Sequence, residues 1–357
     1  MKNSVKMTRR AFTSAVGAAA LGIPLGLTSM KSAKANDDTV VFAGWGGNWQ
    51  EAEREYFFKD FERETGIRVV DVPDLDLAKV KTMVDSGNVS WDVVQALDMW
   101  VADKDKAASL WEEIDYSEIQ SEGVPKDLLR PYGAGVATFA MILAYNTKAF
   151  EGKQAPASWA DYWDFEKFVG KRGMIDAPRY ALEIALMAKG VPPKDLYPLD
   201  VEGALEHWDK IKNDVLWWDK FPQSINLLAS GELAVTMTSH GRVMSLLEEE
   251  PDTPIKIVWS QGILTTDFLS IPKGSKRKKN AQKLISWMLD PKRQADYAKA
   301  TGVGPSNFKA LDSLDDATKK TLPSYYYQTG QIIEFNADWW STREQELVER
   351  WNFWQLI

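Results

Sequence analysis

The sequence predicts an α/β protein in two parts with a hinge between them. Two observations lead there. From Thr39 onward, β-rich apolar runs alternate with runs of helical periodicity, the pattern of a parallel sheet covered by helices. The two places where the chain would pass between parts, residues 143–146 and 260–267, are strand-like rather than glycine-rich and polar. Short paired connections of that kind let two parts close on a ligand. The 357 residues leave room for two domains of about 150 residues each.

The first series is regular. Thr39-Val40-Val41-Phe42-Ala43 reads as a strand stopped by Gly44-Trp45-Gly46-Gly47-Asn48. Residues 51–65 carry Ala52, Tyr56, Phe57 and Phe61 on one helical face, and Gly66 ends that helix. Residues 67–72 form the next strand, 75–86 an amphipathic helix ending at Gly87, and 91–96 a third strand. Ligands of parallel sheets bind beyond the carboxyl ends of strands, here residues 44–48, 71–74 and 97–100.

The second series starts near Asn146. Helices are expected over 158–163 and 179–189 with a short strand at 174–176 between them, and a longer helix over 201–219. Residues 233–238 and 255–259 are strands, and 262–272 is an extended run returning to the first part. Residues 275–289 and 291–300 are covering helices, and 339–354 is a helix rich in Glu, Arg and Trp.

Residues 1–35 read as an export signal, not as part of the fold. Lys2, Lys6, Arg9 and Arg10 precede an uncharged run of small and apolar residues, and Ala33-Lys34-Ala35 places cleavage after Ala35. Thr8-Arg9-Arg10-Ala11-Phe12 resembles a twin-arginine signal. The run is too short to span a membrane, which takes about 20 residues. The 43 lysines and arginines, less the six of this segment, leave 37 against 51 acids, a net charge of -14. An acidic exported chain without cysteine suits a bacterial periplasm and argues against nucleic acid. It also has no disulfide, thiol nucleophile or thiolate metal site. His207 and His240 are the only histidines, so a histidine metal centre or a Ser-His-Asp triad has little to be built from.

Several segments carry a resemblance. They are residues 42–49, Phe58-Lys59-Asp60-Phe61-Glu62-Arg63-Glu64-Thr65-Gly66-Ile67, Trp91-Asp92-Val93-Val94, Leu143-Ala144-Tyr145-Asn146, Ser158-Trp159-Ala160-Asp161-Tyr162-Trp163, Leu182-Glu183-Ile184-Ala185-Leu186, Gly231-Glu232-Leu233 and Asp267-Phe268-Leu269-Ser270-Ile271-Pro272. In this order and spacing the chain resembles the periplasmic substrate-binding proteins of ABC importers, in their spermidine/putrescine-binding branch. The Gly46-Gly47 form and the turn holding Arg242 resemble a subgroup associated with amino acids such as γ-aminobutyrate. The resemblance implies a type II periplasmic binding protein fold, with a ligand closed between two lobes and delivered to permease subunits. Lobe 1 is then expected from 36–143 plus 264–320 and lobe 2 from 144–263, with 321–357 a helical segment packing on both.

Polyamine binders hold a dication between aromatic faces and carboxylates, through cation–π and ionic contacts. Trp45 matches a ligand-facing aromatic of that branch, and Asp267 the aspartate that receives an amine. The rest of the cage departs. Family aromatics fall at Asn48, Ser239, Thr265 and Val303, and the acids of the second lobe at Ala177 and Tyr180. Asp98 and Asp176 lie in the aligned loops. Arg242, in Ser239-His240-Gly241-Arg242, follows a strand and opens a helix, where it could grip a carboxylate in bidentate fashion. Arg179 is a second candidate. The alternative for Arg242 is a salt bridge to Glu248, Glu249 or a loop aspartate. One acid facing one arginine suits a zwitterion with separated charges and suits a diamine poorly. The candidate ligand-binding residues are therefore Trp45, Gly47, Asn48, Asp98, Asp176, Arg179, Tyr180, Ser239, Arg242, Thr265 and Asp267.

The expectation is a non-enzymatic, monomeric binding protein for a small amine or zwitterion, foremost an ω-amino acid, with no cofactor or metal and no stable membrane insertion. A polyamine or another organic cation such as thiamine is the alternative ligand. From other classes, a secreted glycoside hydrolase would need a pair of carboxylates in an acid/base setting, which is not evident in the sequence. An extracytoplasmic adaptor would have no small-molecule pocket between its parts.

Overall fold

β1 (Thr39–Ala43) sits between two parallel neighbours, β2 (Arg68–Val72) and β3 (Val93–Leu97), as the alternation of strands and helices predicts. The computed structural model describes residues 38–357 except Asp74, without the Asn48 side chain; the predicted export signal lies outside the described residues. The remaining strands are β4 (Leu129–Arg130), β5 (Gly133–Asn146), β6 (Arg172–Ile175), β7 (Val215–Trp218), β8 (Val235–Ser239), β9 (Ile255–Ser270), β10 (Gly304–Pro305) and β11 (Ile332–Glu334). Their main path runs β2-β1-β3-β9-β5-β8-β6-β7.

The sheet is mixed, which corrects the purely parallel expectation. β6 lies parallel to β7 and β8, so each flank is parallel. Between the flanks, β9 runs antiparallel to β3 and β5, and β5 antiparallel to β8. The reason is the two crossings. Residues 143–146 and 260–267 do not end in loops but continue as the long strands β5 and β9, which pair with each other through two register shifts. The second shift, between Met141 and Leu143, lies close to Gln261, whose φ is +62°. The fold is that of the type II periplasmic binding proteins, with these two strands joining the flanks.

Local chemistry accounts for the elements. Gly47–Glu53 continues through a π turn, Arg54–Phe58, into Lys59–Thr65. The extra residue of a π turn shifts the helical phase, and both Phe57 and Phe58 are buried with Phe61 against the β1 flank. Burying each such ring is worth about 2–3 kcal/mol relative to exposure. Gly66 then takes the left-handed conformation at φ +72° that ends the helix. Asp76, Ser158, Asp200 and Asp290 each accept a backbone N–H of the helix they start.

Two expectations are corrected here. Residues 201–219 are not one helix: Val201–Asp209 is helical, and Val215–Trp218 is β7. Val215, Leu216, Trp217 and Trp218 gain a full ladder against β6, from Arg172↔Val215 to Ile175↔Trp218, which outweighs helical continuation. Residues 339–354 are likewise two helices, Ala337–Ser341 and Glu344–Leu356.

The tryptophans cluster where the second flank meets the C-terminal helices. Trp159, Trp208, Trp218, Trp340 and Trp351 are almost wholly buried in one core. Each indole N–H has an acceptor, as a buried indole requires: Trp159 to Gln261 O, Trp208 to Ala181 O, Trp218 to Thr236 Oγ1, Trp340 to Glu183 Oε1 and Trp351 to Asp176 Oδ1.

Candidate ligand site

A cavity of about 470 Å³ opens where the carboxyl ends of β1, β3, β6 and β8 meet over the middle of β5 and β9. Each flank contributes its post-strand turns. Trp45 and Trp49 follow β1, Leu97 ends β3, Ile175 ends β6 with Ala177, Pro178, Arg179 and Tyr180 after it, and Ser239 ends β8 with Arg242 after it. The floor comes from Phe139 and Met141 on β5 and from Thr265 and Asp267 on β9. Residues two apart on a strand share a face, so each strand offers two side chains here. Phe139 and Thr265 are cross-strand partners.

The anionic pole is Asp267, 6% exposed. Trp45 Nε1 donates to its Oδ2 at 3.0 Å and Gln95 Nε2 to the same oxygen at 3.3 Å. Oδ1 accepts no hydrogen bond among the described residues. Burial pushes this carboxyl up to about 8; the Trp45 bond opposes the rise, Asp98 adds to it and Arg179 opposes it. A second buried acid, Glu53, lies behind it with Oε2 unpartnered, and is raised to about 8 by burial, Asp267 and Asp71. The Trp45 turn is set by Gly46. Its φ is +75°, and a Cβ there would stand 3.1 Å from Pro73 Cβ.

The cationic pole is Arg242, half-buried in the helix His240–Glu249. It makes no ion pair and no hydrogen bond among the described residues, so the expected alternative of a salt bridge to Glu248, Glu249 or a loop aspartate is not found. Its guanidinium stands 5.9 Å from the Phe221 ring, and burial lowers its pKa. His240 anchors the start of this helix. Its Nδ1 accepts the Ala140 N–H at 3.0 Å, leaving Nε2 to donate to Gly302 O at 3.0 Å. Burial lowers its pKa to about 4, so the ring is a neutral bracket with both nitrogens engaged. Among the described residues, no group of three or more His, Cys, Asp or Glu could hold a metal ion.

Asp98 and Arg179 form a closed corner beside these poles. Asp98 Oδ1 accepts from Arg179 at 3.2 Å and from Met99 N at 2.7 Å, and Oδ2 from Thr265 Oγ1 at 2.8 Å. Burial opposes the Arg179 charge, yet Tyr180, Asp98 and Glu344 raise its pKa above the ordinary value. The bond joins the β3 flank to the β6 flank. Tyr180 is buried with φ +68° and ψ -39°, a left-handed conformation rare for a bulky residue. That strain lies in the cavity wall, where strained backbone tends to collect.

Of the residues predicted from sequence, Trp45, Arg179, Tyr180, Ser239, Arg242, Thr265 and Asp267 line this one cavity. Three stand elsewhere. Asp98 is spent on Arg179 and Thr265. Asp176 turns to the C-terminal helix, where Trp351 and Gln355 each donate to Oδ1 at 2.9 Å. Gly47 is exposed at the first position of its helix. Asn48 follows it there, and its side chain is not described.

Sequence reasoning missed Trp49, Phe139, Met141, Phe221, Trp340 and Glu344 as lining residues. Trp49 carried a signal, because it follows Trp45 by four residues across a helix start. Its ring stands 5.1 Å from Phe139, and a Cβ on Gly241 would meet it at 3.3 Å, so it crosses from one flank to the other. Trp340 and Glu344 come from the C-terminal segment, over 70 residues from the nearest predicted site residue in sequence, and no local pattern marks them.

The fold and this cavity define a protein that captures a small solute between two flanks. The chain belongs to the bacterial extracellular solute-binding protein family, whose sequence profile matches residues 57–323. It is 30% identical over 339 residues to a gamma-aminobutyric acid-binding protein of Pseudomonas aeruginosa, covering 92% of this chain and 94% of that one. A solved ABC transporter substrate-binding protein from Bradyrhizobium japonicum superposes with TM-score 0.83 at 31% identity, covering 88% and 99% of the two chains. A solved GABA receptor does so with TM-score 0.80 at 33% identity, covering 89% and 97%. This protein is thus a substrate-binding protein of the ABC-transporter kind and not an enzyme. Among the described residues no helix is long and apolar enough to cross a membrane.

Proposed function

We propose that the ligand is an ω-amino acid of the γ-aminobutyrate type, held by its ammonium at Asp267 and by its carboxylate at Arg242. One observation carries this reading: of the charged residues lining the cavity, Arg179 is paired with Asp98 and Glu344 lies in the field of that same arginine, whereas Asp267 and Arg242 are an acid and a base and neither is ion-paired. Ionising a buried carboxyl without a partner is costly, and a zwitterion would supply partners for Asp267 and Arg242 at once. A diamine would satisfy Asp267 and face repulsion at Arg242. The names of the Pseudomonas relative and of the solved receptor support the same ligand class.

In this reading, residues 36–143 plus 264–320 close on residues 144–263 about β5 and β9. Residues 321–357 pack on both, and the loaded monomer is delivered to permease subunits. The protein is exported through the twin-arginine route, cleaved after Ala35 and released into the periplasm. An affinity near micromolar, about -8 kcal/mol, suits such a cleft. The test is a thermal-shift screen with γ-aminobutyrate, longer ω-amino acids, putrescine, spermidine, thiamine and simple sugars. Binding raises the melting temperature by mass action. A rise with ω-amino acids and not with diamines is expected; a rise with diamines alone overturns the zwitterion clamp.

A further inference from the structure

As the flanks stand, the cavity is larger and more apolar than a straight four-carbon amino acid fills. Its volume of about 470 Å³ lies within the range of sites for drug-sized ligands. Beside the charged residues, the lining includes Trp45, Trp49, Phe139, Met141, Phe221 and the buried Trp340. Phe221 and Trp49 are half-buried and Trp45 is 37% exposed, so part of each ring stands open. The exposed parts of these rings offer stacking as well as area.

We infer that the natural ligand is a zwitterion with a bulky apolar body, a ring or branched hydrocarbon, between or beside its ammonium and carboxylate. The poles orient the molecule and the aromatic walls select it. Phe221 is the residue that would couple the two tasks. It lines the cavity and lies under the Arg242 guanidinium, so it both packs the body and holds the cation. A methylene-only linker would leave these walls wet, and the hydrophobic gain that scales with buried apolar area would be lost.

This inference rests on the zwitterion reading, and one titration series separates the two. The exported protein is titrated calorimetrically with γ-aminobutyrate, with 4-amino-3-phenylbutyrate and with putrescine. The phenyl compound is expected to bind at least about tenfold more tightly than γ-aminobutyrate, roughly the gain from burying a ring face. In Phe221→Ala that advantage is expected to shrink by about tenfold or more, with γ-aminobutyrate affinity changing less. Phe221→Leu, which keeps an apolar side chain, should retain an intermediate advantage and guards against misfolding of the alanine variant. Equal or weaker binding of the phenyl compound, with γ-aminobutyrate still bound, overturns the apolar body and leaves the zwitterion clamp standing. An advantage equal in the wild-type protein and both variants also overturns it, since the gain would then come from elsewhere. Binding of putrescine alone removes the clamp and this inference together.

Discussion

Two pairs of opposite charges lie within one cavity region and have opposite fates. Asp98 and Arg179 are tied to each other, and Asp98 also takes Thr265 and the Met99 N–H. Asp267 and Arg242 are equally part of the wall, yet Asp267 is held only by an indole and an amide, and Arg242 by no ionic partner among the described residues. The difference teaches how to sort charges in a binding cleft. A satisfied pair holds the flanks together, while unsatisfied charges of opposite sign are a demand that a ligand can meet.

The largest effect that sharpens this contrast is on stability. Asp98→Ala strips the partner from Arg179, whose side chain is only 18% exposed. Breaking a buried pair costs about 3–5 kcal/mol, and the residual solvent at Arg179 places this one at about 3. Urea unfolding of the empty protein measures it, and a loss under about 1 kcal/mol would erase the distinction between the two pairs.

Arg242→Ala should do the reverse. Removing an unpaired, half-buried cation leaves the melting temperature nearly unchanged or slightly raised. Affinity for γ-aminobutyrate should fall roughly 30- to 100-fold, the worth of a charged hydrogen-bonding partner of about 2–3 kcal/mol. Undiminished affinity in calorimetry would place the ligand carboxylate elsewhere.

Third comes pH. The Asp267 carboxyl titrates near 8 in the empty protein, so below that value it is mostly neutral. An ammonium ligand needs the anion. Affinity should therefore rise about tenfold per unit from about pH 6 to about 8 and then level, with one proton released per ligand bound. Titrations in buffers of different ionisation enthalpy count that proton. The effect on folding has the opposite sign. A carboxyl raised in the folded state binds its proton more tightly there, so stability is highest below the unfolded value near 3.8 and is lost as pH rises toward 8. Glu53, raised for the same reason, adds to that loss. A flat affinity profile would mean that Asp267 is already ionised without ligand.

The smallest effect is a control. Arg54 pairs with Asp71 on the rim of the β1 flank, with 42% of its side chain exposed. Arg54→Ala should cost about 0.5 kcal/mol or less and leave γ-aminobutyrate affinity within about twofold. A large loss of binding there would show that the polar path through Glu53 and Gln95 reaches the ligand.

Much of this is legible in the sequence. The strands predicted at residues 39–43 and 67–72 and the helix ending at Gly66 followed from periodicity and a left-handed stop. Asp267 was marked by the family resemblance, and Arg242 by its place as an arginine at a helix start after a strand. Residues 215–218 were misread because a short apolar run beside a helix has no local preference strong enough to choose. Pairing with β6 chose for it. Asp176 was misplaced for a related reason, since nothing near it in sequence shows that Trp351 and Gln355 would claim it.

The sequence by itself determined the class of the molecule and its alternating elements, and it marked Asp267 and Arg242 as candidates, because hydrophobic period, turn residues and side-chain chemistry are local properties. Only the tertiary structure decided which acid keeps a partner and which is left open, and which aromatics line the cavity. Those outcomes depend on burial and on distances between segments as far apart as Trp45 and Trp340, and free energies of desolvation and pairing exist only once the chain has brought such segments together.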